Sequence, residues 1–162
     1  MNVTVDAQNG RNTMKRRTLL LSALATTFSA TILNANQADD GIKRLALQVS
    51  DNDPSTFTKV LNVAANFARG MSAKGSMYEI EIVAFNAGLD LLRTDKSPVA
   101  DRLKSMSESI SELTFSACGN TIAGVTKKEG KAPPISEYAR VVPAGVVRLM
   151  ELDDTGYYVI RP

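Results

Sequence analysis

The only cysteine of the 162-residue chain, Cys118, lies in the stretch FSACGNT (115–121). Here an apolar run typical of a buried strand gives way to a helix start. Backbone N–H groups at a helix N-terminus stabilise an anion, so they lower the pKa of a thiol and raise its thiolate fraction. Gly119 would let another molecule approach the sulfur without a side chain in the way. One interpretation of the pattern is a reactive thiol that ends a strand and faces solvent or a cleft between subunits. The alternative is a small apolar core residue.

Other site chemistries are limited by what the sequence lacks. There is no histidine, which excludes Ser-His-Asp triads, Cys-His pairs and metal sites that need an imidazole. A single cysteine excludes a C-x-x-C motif and an intramolecular disulfide. Glycine-rich phosphate loops are also missing, so nucleotide binding has no support. Asp51 and Asp53 are better explained by a helix cap and a solvated loop than by a metal, and neither a metal nor a cofactor is expected.

Residues 1–35 are predicted to be an N-terminal extension and an export signal. A basic cluster at 15–17 precedes a moderately apolar run at 19–33, which is too short and too rich in hydroxyls to span a bilayer convincingly. The paired arginines resemble a twin-arginine signal. We expect a periplasmic or otherwise exported protein that begins near Asn36 and meets the membrane only during export. The alternative is an uncleaved anchor.

The apparent basicity of the chain belongs to this signal. Of the 19 basic and 17 acidic residues, four basic and one acidic lie in residues 1–35, which leaves a net charge of −1 for the rest. No basic patch remains to indicate a nucleic-acid partner.

Strand and helix patterns alternate after a polar leader at 36–41. Strands are predicted in IKRLALQV (42–49), YEIEIVAFNAG (78–88), LTFSAC (113–118), ARVVPAG (139–145) and YYVIRP (157–162). Asp53-Pro54 and Ser97-Pro98 each predict a helix cap followed by proline. One helical turn is expected at 89–93, a short helix from Asn120 to Thr126, an exposed loop at 127–136 and a helix at 145–156.

This alternation predicts an α/β fold in one domain, residues 42–162. Right-handed crossovers would give a flavodoxin-like three-layer sandwich with a five-stranded, mainly parallel sheet. In such sheets ligands gather outside the carboxyl ends of the strands. Asp51, Asn86, Cys118 and Pro143 are all expected there.

Four blocks together resemble the DsrE/DsrF-like family (YchN/TusD-type fold), in its exported single-subunit branch. They are EIVAFNAGLDLL (81–92), FSACGNT (115–121), VVPAGVVRLMEL (141–152) and GYYVIRP (156–162). The resemblance covers residues 42–162. It implies a flavodoxin-like sandwich, assembly into homotrimers or homohexamers, and a cysteine that carries sulfur as a persulfide. Cys118 stands at the position of that cysteine.

The resulting hypothesis is an exported sulfur carrier, at most sulfurtransferase-like, in which Cys118 is the reacting residue. Gly119, Asn120 and Thr121 would help to bind the substrate. Its partners would be a sulfur donor and an acceptor thiol protein. One alternative is a non-catalytic oligomeric binding or assembly module with an inert, buried Cys118. Another is a small-molecule enzyme, which convergent carboxylates in a pocket would favour.

Overall fold

The computed structural model describes residues 41–162. The predicted export signal (1–35) and residues 36–40 of the polar leader lie outside that range. Within it the elements are β1 (Lys43–Val49), α1 (Pro54–Ala73), β2 (Tyr78–Ala84), a 3-10 helix (Asn86–Leu92), α2 (Ala100–Ser109), β3 (Leu113–Cys118), α3 (Gly119–Glu129), β4 (Ala139–Val142), α4 (Gly145–Asp154) and β5 (Tyr158–Ile160). The predicted alternation of strands and helices is confirmed.

The five strands form one sheet in the order β4-β3-β2-β1-β5. Every strand pair in it is parallel, which confirms the α/β sandwich with a parallel sheet. The order differs from the 2-1-3-4-5 order of flavodoxin itself. Each of the first three crossovers moves one strand along the sheet in the same direction. The fourth returns across the whole sheet from β4 to β5.

The direction of these crossovers decides which face each helix covers. Right-handed connections that move the same way place α1, α2 and α3 on one face, and the returning connection places α4 on the other. Phe57 of α1 and Leu103 of α2 accordingly share the larger apolar core, and Ile122 of α3 packs against it. Leu149 and Leu152 of α4 form a smaller core on the opposite face. Cys118 belongs to the smaller core.

Only one of the two predicted cap-plus-proline signals is correct. Asp53 caps α1 through a hydrogen bond from the Ser55 N–H to Asp53 Oδ1 at 2.8 Å. Ser97 does not cap α2, which begins at Ala100 with Val99 at the cap position. The backbone N–H of Ser97 instead donates to Arg93 O at 2.9 Å. Ser97 is therefore part of a turn that precedes the helix.

Helix α3 begins earlier and ends later than the sequence predicts. Cys118, not Asn120, is its cap residue, and the helix continues to Glu129, where Gly130 closes it in a left-handed conformation. The Asn120 N–H donates to Pro143 O at 3.2 Å. The pairing of Cys118 with Val142 brings the end of β4 close enough for that bond.

The strand order creates a crevice at the end of β3. After β3 the chain crosses to the face of α1–α3, whereas after the neighbouring β4 it crosses to the face of α4. Ligands of open α/β sheets bind where adjacent connections diverge in this way. Cys118 is the last residue of β3, so it lies at the divergence. No helix in residues 41–162 is long and apolar enough to cross a membrane.

Candidate functional site

A pocket of about 750 Å³ opens at the carboxyl ends of β2 and β3. Its walls come from the 3-10 helix, the exposed side of α3 and the first turn of α4. Four residues singled out by the sequence line it: Asn86, Cys118, Asn120 and Thr121. Gly119 is not among the described residues that line the pocket, and neither are Asp51 and Pro143.

Cys118 is more buried than the sequence predicts. Only 5% of its surface is exposed, whereas a thiol facing solvent or a cleft between subunits was expected, so the expectation of a solvent-facing thiol is wrong for the single chain. Cys118 packs in the smaller core with Val83, Phe85 and Leu149. It still lines the pocket, so it is covered by protein on most sides and borders the cavity on the remaining one.

The surroundings of Cys118 favour its thiolate. Burial acts to raise its pKa, but the Thr121 hydroxyl and the backbone N–H groups of Gly145, Thr121 and Asn120 act in the opposite direction. The net result is a pKa below the ordinary value for a cysteine. Asn120 and Thr121 belong to the first turn of α3, and Gly145 is the first residue of α4. These donors therefore stabilise the charge that forms on deprotonation, as helix N-terminal amides do.

The hydroxyl of Thr121 is held in a donating role. The backbone N–H of Asn86 donates to Thr121 Oγ1 at 3.0 Å. That bond occupies an acceptor position on the oxygen and leaves the hydroxyl hydrogen for another partner, since a hydroxyl both accepts and donates. Asn86 adopts a left-handed conformation (φ 52°), a conformation that asparagine tolerates better than most residues.

Gly145 brings a second helix N-terminus to the sulfur. It is the first residue of α4, and its cap residue, Ala144, makes no side-chain hydrogen bond to the helix. A Cβ added at Gly145 would lie 2.9 Å from Phe85 Cβ, so only glycine fits this close contact. The N-termini of α3 and α4 therefore meet at Cys118 from opposite faces of the sheet.

Gly119 has a packing role in addition to the one proposed from the sequence. A Cβ at this position would lie 3.1 Å from Val142 O and 3.3 Å from Pro143 O. Its missing side chain lets the β4–α4 connection approach the start of α3. The residue keeps the two helix starts close together.

The opposite wall of the pocket depends on Arg93, which is 2% exposed. Its Nε and Nη2 donate to Asp95 at 2.9 and 2.8 Å, and its Nη1 and Nη2 donate to Glu129 at 2.8 and 3.0 Å. These paired bonds join the segment after the 3-10 helix to the last turn of α3. The hydrogen bonds from Arg93 lower the pKa of Asp95 and of Glu129.

Two carboxylates, Asp90 and Glu129, line this pocket, but their pairing argues against acid–base catalysis. Glu129 accepts from Arg93, Lys96 Nζ lies 3.4 Å from Glu129 Oε1, and Arg93 Nη1 lies 3.8 Å from Asp90 Oδ1. A general acid needs a raised pKa, whereas that of Glu129 is lowered. The small-molecule enzyme therefore gains no support. No group of three acidic or cysteine side chains in residues 41–162 could hold a metal ion.

The sequence did not predict the contributions of the residues that reach the site from the ends of other strands and the segments after them. Gly145 could have been identified from VVPAGVV, because a glycine that opens a helix at a strand end presents free N–H groups. The role of the Asn86 N–H has no sequence signal. The role of Arg93 has none either, because its partners lie 2 and 36 residues away.

Comparisons with known proteins support the fold alone. No protein-family model matches the chain, and no curated protein matches it. The fold is similar to the solved structure of a protein of unknown function, MTH1491, from Methanobacterium thermoautotrophicum. The two are 23% identical with a TM-score of 0.63, over 74% of this chain and 99% of that chain.

Proposed function

We propose that this chain is an exported, homo-oligomeric DsrE-like protein in which Cys118 binds or transfers sulfane sulfur as a persulfide. The observation that carries the proposal is the convergence of the Thr121 hydroxyl and the Gly145 and Thr121 N–H groups on a thiol that borders a pocket. A persulfide carrier needs a cysteine that is ionised at neutral pH and reachable by a donor. It needs no histidine, metal or cofactor.

The chemistry consists of two displacements that balance without an oxidant. The Cys118 thiolate attacks the outer sulfur of a persulfide R–S–SH. A new S–S bond forms on Cys118, the old one breaks, and R–S⁻ leaves with the electron pair. An acceptor thiolate then attacks the outer sulfur on Cys118, takes it as a new persulfide and restores the Cys118 thiolate. With inorganic polysulfide as donor, the leaving group is the polysulfide shortened by one sulfur.

Single charged groups at the pocket suit an anionic donor. Three cationic side chains (Arg93, Lys96 and Lys128) and two acidic ones (Asp90 and Glu129) line it, together with the start of α4. Arg93 is paired with Asp95 and Glu129, so the exposed Lys128 and the helix N-termini at Cys118 are the groups that attract a polysulfide or persulfide anion. Because Cys118 is 5% exposed, the donor has to enter the pocket to reach the sulfur.

A second candidate is a non-catalytic oligomeric binding or assembly module with an inert cysteine. The observation that favours it is the same low exposure of Cys118, together with its packing against Val83 and Leu149. A structural cysteine of this kind would be slow to react with alkylating agents at every pH below its raised pKa. The two candidates therefore differ in a quantity that can be measured on the purified protein.

Homo-oligomer formation is supported by an exposed apolar patch on the β4–α4 side. Val141, Val146, Val147 and Met150 are each more than half exposed. Val141 and Val147 line the same surface depression, and exposed apolar surface of this kind marks sites of protein–protein contact. We expect a second copy of this chain to cover it, since a ring of identical subunits buries the same patch on every member.

Export is tested on the full-length chain in cells. The predicted signal implies a mature form that begins near Asn36 and is found outside the cytoplasm. N-terminal sequencing of the protein from the exported fraction checks this. A cytoplasmic protein that retains residues 19–33 would contradict it.

Transfer is tested by loading and unloading. The protein is incubated with inorganic polysulfide, desalted and treated with dithiothreitol, which takes the outer sulfur and releases it as sulfide while the dithiol is oxidised. Wild type is expected to release about one sulfide for each sulfur loaded on Cys118, and Cys118→Ser none. Equal sulfide from both proteins would contradict a carrier role for Cys118.

A further inference from the structure

Glu81 is a buried carboxylate with no part in the pocket described above. It lies on β2 and is 2% exposed, although glutamate is almost never fully buried unless it is paired. Ser116 Oγ donates to Glu81 Oε1 at 2.6 Å, and Arg140 Nη2 donates to Oε2 at 2.7 Å. Arg148 donates through Nε to Oε1 at 2.9 Å and through Nη2 to Oε2 at 2.8 Å. The carboxylate is therefore fully paired.

Stability alone is a weak reason for such a cluster. Replacing a buried ion pair by apolar residues is often neutral or stabilising, because desolvation offsets the attraction of the charges. A two-bond contact between an arginine and a carboxylate does, however, fix orientation. The bonds from Arg148 to Glu81 join α4 to the centre of the sheet in one defined geometry.

The Glu81 cluster is connected to the surroundings of Cys118 through two elements, β3 and α4. Ser116 is two residues before Cys118 on β3, so both side chains point to the face of α4. Arg148 is three residues after Gly145, which is about one helical turn. The bonds from Arg148 to Glu81 thus hold the first turn of α4. The first N–H of that turn, from Gly145, is directed at the Cys118 sulfur.

No side-chain cap holds that first turn, and the connection before it is held by the bond from the Asn120 N–H to Pro143 O at 3.2 Å. Its cap residue, Ala144, has no side chain that could bond to the helix, and Gly145 contributes only a close contact with Phe85. We propose that Glu81 and Arg148 are positioning residues for Cys118, which hold the start of α4 so that the Gly145 N–H stabilises the thiolate. This rests on the proposed function only in taking Cys118 as the reacting group.

The other charges that face the pocket stay unchanged when Arg148 is replaced. They are Asp90, Arg93 and Lys96 from the 3-10 helix and the turn after it, and Lys128 and Glu129 from α3. Within the described residues, the part of α4 that lines this pocket carries no charged side chain. A change in the pKa of Cys118 would therefore be caused by the loss of Arg148 or by a displacement of α4.

The test is the rate of Cys118 alkylation by iodoacetamide as a function of pH. Arg148→Met should raise the apparent pKa of Cys118 and slow alkylation near neutral pH by about three- to tenfold. Arg148→Lys keeps the positive charge but not the paired bonds, and it should shift the profile in the same direction. That variant separates the position of α4 from the charge of Arg148. It also keeps the test valid if Arg148→Met does not fold.

Arg140→Met is the matched control. Arg140 bonds to the same Glu81 carboxylate but belongs to β4, so its loss should leave the alkylation profile within about twofold of wild type. Leu152→Ala, which weakens the core under α4 without touching Glu81, controls for lost stability. The proposal would be overturned if the Arg148 variants gave the same alkylation profile as wild type. It would also be overturned if Arg140→Met shifted the profile as far as the Arg148 variants do. Alkylation needs no sulfur donor, so failure of polysulfide loading alone would count against the proposed function only.

Discussion

The backbone N–H of Asn86 and the side chain of Thr121 are joined by a hydrogen bond of 3.0 Å to Oγ1. Asn86 follows β2 and Thr121 lies in the first turn of α3, 35 residues later. The bond links the ends of two neighbouring strands across the pocket. It also leaves the Thr121 hydroxyl hydrogen for the Cys118 thiolate.

Removing that hydroxyl should make Cys118 less acidic. Thr121→Val keeps the shape of the side chain but lacks the donor, so the pKa of Cys118 should rise and alkylation near neutral pH should slow by about three- to tenfold. Thr126→Val is the control, because the Thr126 hydroxyl donates to Ile122 O on the same helix at 2.8 Å and is not among the pocket residues. An unchanged alkylation profile in Thr121→Val would show that its hydroxyl does not act on the thiol.

The lowered pKa of Cys118 also predicts how stability depends on pH. A group whose pKa is lower in the folded than in the unfolded state adds stability above the unfolded value, about 8.5 for cysteine, and loses it as the pH falls through the folded value. The free energy of unfolding of wild type relative to Cys118→Ser should therefore increase with pH up to about 8.5. Urea unfolding at several pH values measures this. A difference that decreases with rising pH would indicate a raised pKa and an inert core residue.

The close contact between Gly145 and Phe85 predicts opposite effects for two glycine substitutions. Gly145→Ala places a Cβ 2.9 Å from the Phe85 side chain. It should destabilise the protein by about 1–3 kcal/mol through overpacking. Gly124→Ala in α3 meets no atom within 4 Å and should stabilise by up to about 1 kcal/mol, because alanine favours helix. The midpoints of urea unfolding show whether Gly145→Ala is less stable and Gly124→Ala more stable than wild type.

The fold could be predicted largely because its signals are local. Alternating and continuous apolar runs mark the strands, and Asp53-Pro54 marks the start of α1. The order of the strands in the sheet could not be predicted from the sequence. The pairing of β5 with β1 and of β4 with β3 depends on contacts between residues that are far apart in the chain. The cap predicted at Ser97 is wrong because the turn at Arg93 takes up the residues before α2.

Apart from Asn86, only those residues of the candidate site that are neighbours in sequence could be predicted. Cys118, Asn120 and Thr121 are neighbours in sequence, and all line the pocket. The N–H groups of Asn86 and Gly145 reach the same place through the order of the strands. The burial of Cys118 follows from α4, whose Leu149 packs with it in the smaller core.

The apolar patch on the β4–α4 side predicts self-association. Light scattering of the purified mature protein at micromolar concentration should give the mass of a trimer or hexamer. Val147→Glu places a charge in the patch and should shift the mass toward one chain, because burying an unpaired carboxylate is costly. Lys59→Glu, an exposed change on α1, is the control. A wild type with the mass of one chain would remove the patch as an interface between copies.

The central claim is that Cys118 takes up sulfane sulfur, and intact-mass spectrometry after exposure to inorganic polysulfide tests it most directly. Wild type should gain mass in steps of about 32 Da, one sulfur each, and dithiothreitol should remove them. Cys118→Ser should stay at its original mass, and Thr121→Val should load more slowly than wild type near neutral pH. A wild type that keeps its original mass, or a Cys118→Ser variant that gains the same steps, would contradict the account.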